Sequence, residues 1–107
     1  MSDRSARFGV GQLVRHLRFG YRGVVVDVDP EFGLSDAWYE EVARSRPPRD
    51  RPWYHVLVDD AEHTTYVAER HLEADPSGEP VRHPLIDRYF GAFERERGRY
   101  RAHRTVN

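Results

Sequence analysis

The stretch FGVGQLVRHLRFGYRGVVVDVD, Phe8–Asp29, decides the fold. It reads as two strands about a glycine-marked turn: Leu13–His16 is a short β-prone run, Phe19–Arg22 the turn, and Gly23–Asp29 a second run dominated by valine. Val24, Val25, Val26 and Val28 favour extended backbone because their branched Cβ atoms pack well on a pleated surface. Gly20 and Gly23 bracket the turn, where positive φ or close backbone approach costs glycine little. Pro30 has no amide donor and stops the strand.

The rest of the chain reads as material laid against this hairpin. From Glu31 to Pro52 runs an excursion too long for a simple turn. Ser35 as an N-cap, Asp36, Glu40 and Glu41 early, and Trp38 and Val42 four apart predict a helix over Ser35–Ala43. Pro47, Pro48 and Pro52 end it. Trp53–Asp60, WYHVLVDD, is a third strand with apolar residues on both faces, as in the middle of a small closed barrel. Asp59–Glu62 supplies turn chemistry, Thr64–Ala68 is a fourth strand, and Glu69–Leu72 is a single helical turn.

Four or five strands on so short a chain predict a mainly β protein: a small SH3-like β-barrel over residues 8–73, with a short helix in its long loop. Residues 1–7 are polar and frayed in this reading. Residues 74–83, with Pro76, Gly78 and Pro80, form a linker. Pro84 suits a first helical position, and Leu85, Ile86, Tyr89, Phe90 and Phe93 share one stripe, which predicts a C-terminal helix. Gly91 weakens that helix by about 1 kcal/mol relative to alanine. The remainder, ERERGRYRAHRTVN, reads as a solvated arginine-rich tail or interaction arm.

At 107 residues and 38% hydrophobic content the chain suits one folded domain. It has no apolar run of the roughly 20 residues that span a bilayer, and its first ten residues lack the apolar segment of a secretory signal. With no cysteine it has no thiolate site, and a cytoplasmic location is the expectation. All 17 basic residues are arginine, balanced by 18 acidic ones. A net charge of −1 argues against strong sequence-independent DNA binding over the whole surface and leaves room for a local patch.

Catalytic chemistry is sparse. Six histidines include no HExxH or HxH spacing, so no metal site is expected, and no cofactor either. Ser35, His55 and Asp59 could be written as a triad, but no nucleophile elbow surrounds Ser35, which is better explained as a cap. The glycines of the opening stretch do not form a phosphate loop. No enzymatic activity is expected.

Surface groups remain. Arg15, Arg18 and Arg22, with His16, lie on or beside the first turn, with Phe19 and Tyr21 interleaved, a combination that grips phosphates and stacks on bases. The same arginines read equally as a solvated rim paired with Asp27, Asp29 or Asp59. Trp38, Tyr39, Trp53 and Tyr54 are interface anchors wherever they are exposed, and core where they are not.

The blocks FGVGQLVRHLRFGYRGVVVDVDPEFGLSD, PWYHVLVDD and TTYVAERHLE, in this order over about Phe8–Leu72, resemble the HspQ family, also called YccV-like hemimethylated DNA-binding proteins. The resemblance implies an SH3-like barrel without catalytic residues and with self-association, a trimer in the best-known member. It implies two activities: serving as a heat-shock accessory factor and substrate of a Lon-type protease, which is the leading expectation, and binding hemimethylated DNA, the weaker one. The expected location is cytoplasmic with nucleoid association, and no membrane partner is expected. A looser echo of transcription-associated KOW or CarD-like barrels ranks third, because WYHVLVDD is not a feature of those modules.

Overall fold

A computed structural model describes residues 5–103. β1 (Leu13–His16) and β2 (Arg22–Asp29) form the expected hairpin. After α1 (Asp36–Val42) come β3 (Trp53–Val58), β4 (Thr64–Ala68), a single 3₁₀ turn (Glu69–His71) and β5 (Leu72–Ala74). A four-residue helix, α2 (Ile86–Tyr89), leads into β6 (Phe90–Glu94) and β7 (Arg99–Ala102). The first five strands make one antiparallel sheet in the order β4-β3-β2-β1-β5, and β6 and β7 form a separate hairpin.

The mainly β architecture is as expected, but the sheet is open. Among the described residues no ladder joins β4 to β5, so the barrel does not close. Tyr21 in the β1–β2 loop reaches over to β4, its hydroxyl 2.8 Å from Thr65 Oγ1.

Alternation places Val14, Val25, Tyr54, Val56, Val67 and Leu72 in one buried cluster and Leu13, Val24 and Leu57 in another. β3 is therefore buried on both sides, as its sequence predicts. The cover for the second cluster comes from Val81, Phe90 and Tyr100. Here the expected C-terminal helix is corrected: only Ile86–Tyr89 is helical, and Phe90 and Phe93 belong to a strand. Gly98, at φ 62°, donates its amide to Glu94 O and turns the chain back. Arg99–Ala102 is likewise a strand rather than a solvated tail. Tyr100 is buried, its hydroxyl accepting from Val81 N (3.0 Å) and donating to Val81 O (3.1 Å). Gly11 shows how closely this hairpin docks: its φ is +91°, and a Cβ there would lie 2.3 Å from Tyr100 O.

α1 forms as its sequence predicts, with the Ser35 hydroxyl accepting from Trp38 N at 3.0 Å. Tyr39 donates to Pro47 O (2.6 Å) and Trp53 Nε1 to Pro48 O (3.1 Å), which pins the proline loop to the aromatic core. The frayed segment expected over residues 1–7 lies partly outside the described residues. Its last member, Arg7, is tied down by its amide to Tyr54 Oη at 3.0 Å.

Candidate functional site

A groove of about 730 Å³ opens along one side of the sheet. One wall is the β1–β2 loop, with His16, Arg18, Phe19 and Tyr21, joined by His71. The other is α1 and the segment after it, with Trp38, Val42, Ala43, Arg44 and Ser45. The floor is all of β4 together with Trp53 and His55. Among the described residues no aspartate or glutamate lines it.

The β1–β2 loop is held rigidly enough to present its tip. His16 Nδ1 accepts from Arg18 N (3.1 Å) and Phe19 N (3.0 Å), an arrangement met by the neutral ring protonated at Nε2. Burial pushes the His16 pKa down, and the nearby His71 and Arg18 push it further the same way. The ring stacks on Phe19 (4.7 Å) and on His71 (5.6 Å). His71 is likewise lowered, by burial first and then by Arg70 and Arg18, and its Nε2 lies 2.8 Å from Ser45 Oγ. Leu17 and Phe19, 54% and 71% exposed, project from the tip.

The residues singled out in the sequence separate here. Arg18 lies in the groove wall with its guanidinium 5.7 Å from the Phe19 ring centre, and Tyr21 lies in the same wall. Arg15 instead pairs with Glu73 across the neighbouring strand. Arg22 is enclosed by Asp59 (3.0 Å), Asp75 (2.8 Å) and the carbonyl of Glu79. Both therefore have their charge matched within the fold. Arg44 and Arg70, which the sequence reading passed over, join Arg18 at this end of the groove. Arg44 lines it, and Arg70 donates to Ser45 O at 2.7 Å. No ion pair found among the described residues joins any of these three to a carboxylate.

The aromatic group also divides. Tyr39, Trp53 and Tyr54 are 7%, 2% and 0% exposed, which makes them core residues rather than free anchors. Burial and the hydrogen bond it donates to Glu69 push the Tyr54 hydroxyl up to about 12. Trp38 is half-buried and packs edge-on against Tyr66 at 5.6 Å, within the groove. Ser35, His55 and Asp59 do not converge: Ser35 caps α1, His55 leans on Asp29 and Asp59 holds Arg22. Asp27, Asp29 and His55 bring ligand atoms within 4.8 Å of one another. Within this cluster Asp29 accepts from Tyr66 Oη (2.6 Å) and Asp27 from Val28 N (2.9 Å).

A family model described as "Hemimethylated DNA-binding protein YccV like" matches residues 6–97. The chain belongs to this family. The YccV-like match extends well past Leu72, where the three sequence blocks end, and takes in α2, β6 and the turn that follows. In this YccV-like chain the first strand of the second hairpin, with Phe90, falls inside the family's match, and β7 lies just beyond it.

Proposed function

We propose that this YccV-like chain is a non-catalytic binding domain for hemimethylated duplex DNA, and that the groove end bearing Arg18, Arg44 and Arg70 is its contact surface. The observation that carries this reading is the absence of carboxylates from the groove lining, in a chain that has 18 of them and a net charge of −1. Unpaired guanidiniums meet phosphates without first breaking an internal ion pair, and Arg is suited to bidentate phosphate contacts. Leu17 and Phe19 beside them supply the apolar surface that a methyl group in the major groove favours. Phosphate contacts set the register and the loop tip reads the methyl.

The salt dependence of binding tests this. Replacing Arg18, Arg44 and Arg70 together by Gln is expected to flatten the slope of log K against log salt by about one per arginine, and Arg15→Gln is expected to leave it unchanged. Equal slopes for the triple variant and the parent would remove the groove as the DNA surface.

A second reading is favoured by the exposed Leu17, Leu34 and Val42 around the same groove. In it the chain is a cytoplasmic heat-shock accessory factor of a Lon-type protease, acting as a homo-oligomer and docking client or protease through these side chains. A client peptide that competes with DNA for the groove supports a shared surface, and degradation unaffected by Leu17→Asp removes this second role.

A further inference from the structure

We infer that the groove receives a single base extruded from the duplex, with the β1–β2 loop tip acting as the wedge that replaces it. This rests on the DNA-binding reading above, keeps its phosphate contacts, and moves the reading of the methyl from the loop tip into the groove behind it. Three features converge on it.

The first is a stiff apolar point. Leu17 N donates to His71 O and Gly20 N to His16 O, both at 2.8 Å, so hydrogen bonds fix the backbone on either side of Phe19. Apolar side chains presented this way insert between base steps and unstack them.

The second is a receptacle immediately behind that point. Phe19 itself forms part of the groove mouth, and about 730 Å³ lies within the roughly 300–1,000 Å³ of pockets that enclose one small organic molecule. A duplex does not enter a space of that size, whereas one base does. Trp38, Tyr66 and His55 offer aromatic surface to stack on.

The third is a means of reading a base edge. β4 is an edge strand that contributes its whole length, Thr64–Ala68, to the floor, and its only ladder among the described residues is with β3. Its outer backbone donors and acceptors, with Thr65 Oγ1 and Ser45 Oγ, can pair with the Watson–Crick edge of a flipped base. Burying the added methyl in such a site is worth a factor of about four in affinity over the unmethylated base.

The test compares affinities for three duplexes of one sequence, of which the first two carry N6-methyladenine in one strand. One is fully paired, one has an abasic site opposite the methylated base, and one has the abasic site in place of it. Extrusion is cheapest where the base is already unpaired. The second duplex is therefore expected to bind at least about tenfold more tightly than the first, and the third to lose that gain. Trp38→Leu is expected to abolish the gain while leaving the salt slope intact. Val42→Glu, on an exposed position of the wall, is expected to do so without disturbing the core. Equal affinities for the paired and orphaned duplexes, with DNA binding intact, would overturn the extruded-base mechanism and leave the DNA-binding reading standing. No binding to any duplex would overturn both.

Discussion

A chain ended at His83 is expected to show no cooperative unfolding transition by circular dichroism in urea, although it retains every strand of the five-stranded sheet. Removing residues 84–107 strips Phe90 and Tyr100, 1% and 5% exposed, from the cluster that buries Leu13, Val24 and Leu57. Each large aromatic lost from a core costs about 3–5 kcal/mol. A small domain has about 5–15 kcal/mol in all. The truncation also frees Gly11 O from Tyr100 N and leaves one face of β3 exposed to water. Phe90→Ala alone is expected to lower stability by about 3–5 kcal/mol with an intact transition. A truncated chain that unfolds cooperatively with near-parental stability would show that the second hairpin is an accessory rather than half of the core.

Arg22→Ala is expected to be the second most damaging change, costing about 3 kcal/mol. The value is set below that of a fully buried pair because the Arg22 side chain keeps 22% of its exposure. Its partner Asp75 has a side chain only 3% exposed. Burial pushes the Asp75 carboxyl up, but hydrogen bonds from Ser77 and Arg22 outweigh that and hold it below the usual carboxylate range. A carboxyl whose folded pKa is depressed stabilises the fold above its unfolded value, and that stability is lost as pH falls through the folded pKa. Without Arg22 its hydrogen bond and its charge no longer oppose burial, only Ser77 does, and the Asp75 carboxyl rises from its present position. Acid unfolding of Arg22→Ala, followed by tryptophan fluorescence, is therefore expected at a higher pH than in the parent. Identical acid midpoints would show that Arg22 is not the counter-charge of Asp75. The same reasoning makes Arg22 a poor probe of DNA binding, since its loss acts through the fold.

The elements dictated by local chemistry were legible in the sequence. The valine run, the Ser35 cap and the two-faced apolar strand Trp53–Val58 all form where the residues say they should. The C-terminal strands were not legible, because a short apolar run such as Leu85–Phe93 fits a helical stripe and a buried strand equally well. The turn through Glu94–Gly98 is written in charged residues that look like a solvated arm. Glu94 in fact pairs with Arg97 of the turn (3.8 Å) and with Arg101 on β7 (2.9 Å).

The site was half legible for a related reason. Which arginines are neutralised depends on strand register: β5 sets Glu73 beside Arg15, and the segment that follows brings Asp75 to Arg22, from more than fifty positions away. Which ones gather depends on three distant segments, the β1–β2 loop, the end of α1 and the 3₁₀ turn, meeting at Ser45 and His71. Exposure divides Trp38 from Tyr39 in the same way. One residue along α1 separates a groove wall from the core, and the sequence carries no mark of where the helix docks.

Whether DNA meets the groove is read residue by residue from amide chemical shifts during titration with a hemimethylated duplex. The largest changes are expected on residues 17–21, 43–45, Thr64–Ala68 and Arg70 with His71, and the second hairpin is expected not to move. Changes centred on β6, β7 and the turn through 94–98, with the groove amides silent, would overturn the groove assignment and place the interface on the second hairpin.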